Sequence, residues 1–448
     1  MHLATRTEQR TPLPPDGAAA ATSASWRGTT KVAFRFVFVY FGLYNSELAL
    51  HLLPFPPFLQ LEPLYQTLRW KTVLWVAQHV LHLSHDFGSD FLVMANGSKD
   101  TTYAWVQIFC CVVIAIVATV IWSLADRKRR EYVWLHKWLL IYLRVCLAAG
   151  LMTYGVSKLV PAQFPLPGPS ALISSLGSFR RDRLLWISMG VSPIYSFFGG
   201  LMEVVPAFLL LAPRFVTLGA LLAIATVTNI VMLNFGYNIG VKSLSTNMLL
   251  MGIVILLPDA ARLTDFFIFN RSVPAARQTP LFQRVWLNRV TAALLITFGV
   301  VLFSYNLYRY RQVVSQVAAG QHTPLFGAWV VDDYQINGES RPPLTTNPHR
   351  WQRLIVNSSS DVTVQVMTGE FQGLWLKTDP QMHSLVLTQS GNPGWVAEFT
   401  YDNSQPGSLA LKGTMGGLPV LMRLHFEDGS KLPLNDYTFN WVKDGPGQ

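Results

Sequence analysis

The chain has 448 residues, of which 50% are hydrophobic and only 13% are charged. A soluble domain has about 25% charged residues, so the composition excludes an ordinary soluble protein and indicates a membrane protein with several spans. The three cysteines all lie in apolar runs, which excludes a secreted disulfide scaffold. The net charge of +10 would suggest nucleic acid as the partner of a soluble protein. Here basic residues flank apolar segments, so we expect a lipid bilayer as the partner and no nucleic acid.

The N-terminal third begins with a polar tail. Residues 1–28 are rich in Pro, Ala and Thr and predict a disordered tail rather than a cleaved signal peptide. Residues 29–135 then hold two predicted spans joined by a long loop. In that loop, Gln66 to Leu83 is amphipathic at helical spacing, so we expect a helix on the membrane surface. Residues 100–102 (Asp-Thr-Thr) are typical of a helix N-cap, here that of the second span.

Spanning a bilayer takes about 20 apolar residues. Pro258 and Asp259 interrupt the sixth candidate, so we expect it to end early and continue as a helix along the membrane interface. Seven stretches qualify: 32–53, 103–125, 137–160, 191–212, 214–235, 246–267 and 286–307.

The distribution of Lys and Arg predicts the orientation. With the N-terminus in the cytoplasm, the inner segments carry 15 basic residues and the outer segments carry 10. Because cytoplasmic loops are enriched in Lys and Arg, the sequence favours a cytoplasmic N-terminus in an inner (cytoplasmic) membrane. Seven spans then put the C-terminus outside. The cluster at 180–183 argues against this orientation.

The composition changes after the last predicted span and its linker, residues 271–321. Residues 322–448 consist of short alternating segments separated by polar turns, which predicts an antiparallel sandwich or small barrel outside the membrane. The predicted strands are 351–356, 362–367, 374–378, 384–388, 395–401, 409–413, 420–426 and 437–442.

Two of the ionisable residues inside predicted spans fall near the middle of the membrane. Arg144 and Glu203 come out at similar depth near mid-membrane when each residue advances 1.5 Å. Buried charges in lipid need a reason, and we predict a buried Arg144–Glu203 ion pair. The pair either fixes helix register or makes Glu203 a proton-carrying or ligand-orienting group. Gly199 and Gly200 precede Glu203 and predict close helix packing.

A second polar group lies on the outer halves of spans three to six. We predict a pocket open to the outside that holds a polar headgroup, a quinone ring or a sulfur oxyanion, with two lysines supplying positive charge. The alternative is snorkelling lysines and hydrogen bonds at helix ends. The members are Tyr154, Lys158, Tyr195, Asn229, Asn234, Tyr237, Asn238, Lys242, Ser245 and Asn247.

The sequence carries no metal-binding or cofactor-binding motif that indicates a metal site or an enzyme class. His79, His82 and His85 recur every third residue, so on a helix they spiral apart instead of converging, and we expect no metal site. The sequence contains no HExxH, Walker A, GxGxxG or CxxCH motif and no Ser/His/Asp hydrolase signature. The residues by themselves therefore leave the cofactor unknown.

Several short motifs are spaced along the middle of the chain. They are Tyr154–Lys158 (YGVSK), Gly190–Tyr195 (GVSPIY), Gly199–Glu203 (GGLME), Leu218–Ala220 (LGA), Asn234–Asn238 (NFGYN), Val241–Lys242 and Leu249–Met251. With these motifs, the chain resembles the DoxX family of bacterial membrane proteins, and Asn96–Ser98 and Asp100–Tyr103 extend the resemblance to its longer members.

The resemblance implies a four-helix core, residues 136–270, in the cytoplasmic membrane. The family takes its name from a subunit of an archaeal thiosulfate:quinone oxidoreductase. Longer members tend to have Asp where this chain has Asn238 and His where it has Asn247, so two titratable groups are missing here. Farther on, Gly327-Ala328-Trp329 is similar to the GxW that opens lipocalin-like barrels, which either hold one small ligand or are filled by side chains.

Three functions fit these observations, and the sequence leaves open whether the protein is an enzyme. The first is a non-enzymatic anchor and binding module that presents the outer β domain to a protein partner or an apolar small molecule. The second is a quinone-linked oxidoreductase component of the thiosulfate:quinone type. There, quinone docks near Glu203, Arg144 and Tyr154, and an oxyanion approaches Lys158 and Lys242. The third is a transporter or lipid-handling protein that uses the outer pocket.

Overall fold

The structure is a computed structural model that describes residues 26–52, 61–90, 100–274, 280–321, 323–389 and 392–435. Most of the predicted disordered tail lies outside the described residues, as do Asn96–Ser98 and the last predicted strand, 437–442.

Twelve α-helices precede the β domain in the described part of the chain. They are α1 (Gly28–Tyr44), α2 (Ser46–Leu52), α3 (Leu61–Trp75), α4 (Thr102–Ala125), α5 (Val133–Leu159), α6 (Pro169–Ile173), α7 (Arg181–Gly190), α8 (Pro193–Leu211), α9 (Val216–Gly236), α10 (Lys242–Leu256), α11 (Ala260–Phe267) and α12 (Val285–Gln321).

The chain is a multi-pass membrane protein. Six of its described helical segments are long and apolar enough to cross a bilayer, where the sequence predicted seven. The exception is the first: α1 has 17 residues and is separated from α2 by Asn45. Its length explains the difference, because 17 residues fall short of the about 20 that span a bilayer. Arg35 of α1 is buried and donates to Tyr132 and Ser123.

The interruption predicted in the sixth span is confirmed. Helix α10 ends at Leu256, a 3₁₀ turn covers Leu257–Asp259, and α11 follows. Pro258 has no backbone N–H to continue the α-helical ladder, which ends the helix there. A helix is also present in the segment predicted to lie on the membrane surface: it is α3, continued by a π-helical turn at Val76–Val80.

The long helices run up and down, so successive helices are antiparallel. Helices α5, α8, α9 and α10 form the centre of the bundle, and their apolar side chains make one core cluster with α1 and α4. Helix α12 packs on α5 and α8 and runs on to Gln321, beyond the predicted limit at 307. At 1.5 Å per residue its 37 residues are about 55 Å long, so α12 extends past the bilayer into the β domain.

The β domain is an eight-stranded antiparallel barrel with one short extra strand, β2, paired to the end of β1. Apart from β2, each strand pairs with the next barrel strand along the chain, and β1 closes the barrel by pairing with β9. The strands are β1 (Gly327–Ile336), β2 (Glu339–Ser340), β3 (Trp351–Val356), β4 (Asp361–Val366), β5 (Phe371–Asp379), β6 (Ser384–Gln389), β7 (Asn392–Asp402), β8 (Ser408–Met415) and β9 (Leu418–Glu427).

Side chains fill the barrel interior. The inward residues of all eight barrel strands form one contacting cluster with exposures of 0–6%. In the GxW segment, Gly327 has a φ of +119° and lies against the Phe426 ring, while the Trp329 indole N–H donates to the Leu325 carbonyl at 2.8 Å. Any side chain at Gly327 would be strained, because that φ suits glycine.

Arg350 holds the chain segment that precedes β3 against β1. It is 2% exposed and donates from its guanidinium to the backbone carbonyls of Arg341 and Trp351 at 2.8 and 3.1 Å. Two weaker hydrogen bonds reach the carbonyls of Val331 and Asp332. A single cation thus satisfies main-chain oxygens on three segments.

The barrel lies at the end of the bundle where α5 stops and α8 starts. The Ser170 backbone N–H donates to the Asn357 side chain at 3.3 Å, and Ser359 donates to the Gly320 carbonyl at 2.7 Å. The connection between α5 and α8, residues 160–192, is called here the covering loop. It therefore contacts the barrel directly.

Candidate functional site

Helices α5 and α8 approach each other most closely at two glycines. A Cβ added to Gly155 would lie 3.0 Å from the Gly200 carbonyl oxygen, and one added to Gly200 would lie 2.7 Å from the Gly155 carbonyl oxygen. Such contact is typical of small residues between helices in lipid. The close packing predicted before Glu203 is therefore present.

A buried ion pair lies directly beside this crossing. The Lys158 ammonium is 2.6 Å from a Glu203 carboxylate oxygen, and the two side chains are 10% and 3% exposed. Side chains on a helix tilt toward its N-terminus. Because α5 and α8 are antiparallel, Lys158 and Glu203 tilt toward each other and meet at the level of the glycines.

The predicted ion pair between Arg144 and Glu203 is wrong. Arg144 donates through Nε to the Leu210 carbonyl at 2.7 Å, near the other end of α8. In the register set by Gly155 and Gly200, Arg144 lies opposite Leu211, eight residues from Glu203 or about 12 Å along the axis. Its side chain also tilts away from Glu203.

A proline fixes α8 to α9 next to the ion pair. Pro206 lies inside α8 and has no N–H to give to the carbonyl of Met202. The Thr226 hydroxyl of α9 donates to that carbonyl at 3.0 Å. The backbone oxygen freed by the proline is thus satisfied within the membrane, where an unpaired one would be costly.

Lys158 and Glu203 open into a cavity of about 100 Å³ between α5, α8, α9, α10 and the covering loop. Phe164 and Trp186 of the covering loop form an aromatic wall, with ring centroids 5.2 Å apart. The Lys158 ammonium lies 5.8 Å from the Tyr154 ring centre and 5.9 Å from that of Phe164. Asn234 and Ser245 supply a second polar patch and are hydrogen-bonded at 2.9 Å.

The covering loop is fastened to α5 at its start. The Ser157 hydroxyl donates to the Gln163 side chain at 3.0 Å, and the Gln163 backbone N–H donates back to the Ser157 carbonyl. At the far end, Gly190 lies so close to the Pro165 carbonyl that an added Cβ would be 2.3 Å away. The covering loop is therefore held at both ends and closes the cavity on the side of the barrel.

The structure brings Tyr154, Lys158, Asn234 and Ser245 of the predicted pocket to this cavity and places the rest elsewhere. Tyr195 is 54% exposed on the outside of α8, and Asn229 is exposed on α9. Tyr237 and Asn238 are in the turn that ends α9. Asn238 is exposed there with a φ of +55°, a conformation that Asn tolerates better than most residues.

Two predicted pocket residues serve helix contacts instead. Lys242 lies 3.7 Å from Asp100, whose carboxylate accepts the backbone N–H groups of Lys242 and Ser243 and so caps α10. Asn247 accepts a hydrogen bond from the Tyr40 hydroxyl at 2.7 Å, which joins α10 to α1. The N-cap prediction for the second span holds, because Thr101 accepts from the Ala104 N–H.

The three histidines are separated. His85 pairs with Asp90 at 2.9 Å, and the His79 ring stacks on Trp75. Within the described ranges, no three His, Cys, Asp or Glu side chains come together in an arrangement able to hold a metal ion.

Sequence reasoning missed the contribution of the covering loop. Gln163, Phe164, Trp186 and Met189 line the cavity, but they belong to a proline-rich connection with no helical periodicity of its own. The only available signal was three aromatic residues, Phe164, Phe179 and Trp186, in a loop otherwise rich in Pro, Ser and Arg.

A curated relative was found for part of the chain. It is an uncharacterized protein, YwoB, of Bacillus subtilis (strain 168), 32% identical over 146 residues. The match covers 33% of this chain and 87% of the relative. The chain belongs to the YwoB family. No family model matches the chain, and no solved structure matches it.

The YwoB relationship has a structural consequence. Because nearly the whole relative is matched by a third of this chain, a unit of that size exists without the remainder. The YwoB family match carries no assigned activity.

Proposed function

We propose that this chain is a non-enzymatic membrane module of the DoxX type. The helical bundle binds a small polar ligand beside Lys158 and Glu203 and holds the β-barrel at the outer face of a bacterial inner membrane. The barrel would then meet a protein partner or apolar molecule through its outer surface, because its interior is filled by side chains.

The observation that carries this proposal is the covering loop. The same loop roofs the cavity through Phe164 and Trp186 and contacts the barrel through Ser170. A ligand that moves or immobilises the covering loop at the cavity therefore also affects the contact of the same loop with the barrel. A cavity of about 100 Å³ has room for a few waters or one small ring or headgroup.

The ion pair determines which chemical groups the ligand must have. Lys158 offers N–H donors and a positive charge, while Glu203 offers a carboxylate acceptor and a negative charge. A group with both a donor and an acceptor can insert between them with its polar atoms paired, and the aromatic wall favours a flat ring.

The test uses small molecules that copurify with the full chain. Mass spectrometry of extracts should find a compound with the wild type that is lost from the double variant Lys158→Met/Glu203→Leu. Tyr195→Leu, on the exposed side of α8, is the matched control and should keep it. A compound retained equally by all three proteins would contradict binding at this cavity.

Orientation is tested separately. Protease added to intact spheroplasts should remove the barrel, because the proposal places residues 323–435 outside. Protection in spheroplasts, with cleavage in inside-out vesicles, would reverse the assigned sidedness.

A quinone-linked oxidoreductase component is the second candidate. The observation in its favour is that Tyr154, Phe164 and Trp186 surround a charged pair, a setting that suits a quinone ring. Purified protein should then reduce a ubiquinone or menaquinone analogue with thiosulfate. Bound quinone together with turnover would favour this candidate over the module, and no quinone and no turnover would exclude it.

A further inference from the structure

A larger cavity lies at the opposite end of the bundle from the barrel. It has a volume of about 810 Å³ and is bounded by the start of α5, the turn between α8 and α9, the end of α10, α11 and the start of α12. This volume is within the range of sites that hold drug-sized molecules. The covering loop contributes no residue to it.

Its charged lining is predominantly positive. Among the described residues, four cationic side chains line the cavity against one carboxylate, Asp259. Asp259 is already engaged, because it accepts a hydrogen bond from Thr217 and lies 3.3 Å from Arg262. The cations are Lys137, Arg144, Arg214 and Arg262.

Two of these guanidinium groups have donors without partners. Arg144 donates through its Nε to the Leu210 carbonyl, but its buried Nη2 makes no hydrogen bond in the part of the chain that the structure describes. The same holds for the buried Nε of Arg262. Unsatisfied buried donors on a cation are costly, and an anion bound in the cavity would bring hydrogen-bond acceptors to the two residues that carry them.

The remaining walls are apolar and reach the membrane. Leu140, Ile141, Leu221 and Ile255 line the cavity from α5, α9 and α10. Helix α11 ends beside it with Phe266 and Phe267 largely exposed, as expected of a helix lying at the lipid interface. The site thus combines cations at one end with an apolar wall open toward the acyl chains.

We infer that this cavity binds an anionic membrane lipid. Its phosphate lies among Arg144, Arg214 and Arg262, whose paired guanidinium N–H groups can donate to the phosphate oxygens. Its acyl chain follows the apolar wall. Basic pockets between membrane helices on the cytoplasmic side bind such headgroups in other proteins, and the proposed orientation, with the barrel outside, puts this end of the bundle on the cytoplasmic side.

The test measures lipid binding by the full-length protein in detergent. Phosphatidylglycerol is titrated against phosphatidylcholine by native mass spectrometry, and we expect at least tenfold tighter binding of phosphatidylglycerol. Arg144→Gln and, at an exposed position, Arg214→Gln should each weaken it about tenfold, which is about 1.4 kcal/mol. Arg127→Gln is the control, an exposed arginine at the same end that does not line the cavity.

Three results would overturn the inference. Equal binding of the two lipids would remove the role of the anionic headgroup. Unchanged phosphatidylglycerol binding in folded Arg214→Gln would remove the cavity as the location. Full displacement by millimolar inorganic phosphate would identify a free anion as the ligand instead of a lipid.

Discussion

The Lys158–Glu203 pair supports a quantitative prediction about stability. Glu203→Gln removes one charge and leaves the Lys158 ammonium buried and unpaired at 10% exposure. At 2.6 Å and an effective dielectric constant of about 20, the lost attraction is about 6 kcal/mol. Part of it is offset because burying the ions was itself costly, and breaking such a pair from one side typically costs about 3–5 kcal/mol.

The design is a double-mutant cycle. Glu203→Gln and Lys158→Met should each lower the free energy of unfolding by about 3 kcal/mol or more, while the double variant should recover most of that loss. The assay is unfolding of the purified chain in mixed micelles with a denaturing detergent. Additive losses would refute the pairing.

Arg144 provides the matched control. Its guanidinium binds the Leu210 carbonyl, about 12 Å along the helix axis from Glu203. Combining Arg144→Gln with Glu203→Gln should therefore give additive losses, since distant sites usually add within about 0.5 kcal/mol. Strong coupling between these two residues would show that the assigned helix register is incorrect.

Three further predictions concern the bundle and the barrel. Gly200→Ala should cost about 1–3 kcal/mol in the same unfolding assay, because its Cβ would lie 2.7 Å from the Gly155 carbonyl oxygen; Gly236→Ala, where a Cβ meets nothing within 4 Å, should be nearly neutral. Arg350→Met should cost about 2 kcal/mol or more in the barrel, measured by hydrogen exchange in the full chain, because it leaves buried carbonyls unpaired; exposed Arg423→Met should not. Burial raises the pKa of Tyr334 to about 12, although Arg350 and Arg341 lower it in part. Its folded pKa exceeds the ordinary value of 10, so barrel stability should fall as pH rises from about 10 to 12, and a Tyr334→Phe variant with the same slope as wild type would exclude this cause.

The length of the apolar runs predicted six of the seven expected spans, and two-residue alternation predicted most of the strands, because lipid requires long apolar helices and the barrel core requires every second side chain to be apolar. The break at Pro258 and the cap at Thr101 depend on local backbone chemistry and were also predictable. The residue with which each buried charged side chain pairs was not predictable. Counting residues from assumed membrane boundaries put Arg144 level with Glu203, but the actual register is set by contact of Gly155 with Gly200.

The candidate site was only partly predictable for a related reason. Being polar on the outer half of a span does not say which way a residue faces, so Asn229 and Tyr195 were grouped with Asn234 although they point outward. Lys242 and Asn247 are bound by Asp100 and Tyr40, which come from distant parts of the chain. Such long-range pairs leave no spacing pattern in a single sequence.

The closure of β1 on β9 has a consequence for how the protein is made. Until residues 418–427 have been synthesised, β1 and β8 each present an open edge of unpaired backbone groups. The helices can insert into the membrane one after another during synthesis. The barrel cannot close until its last strand, β9, has been made. Synthesis of this chain therefore passes through an intermediate with two open strand edges, and a chaperone would act on the barrel in that interval.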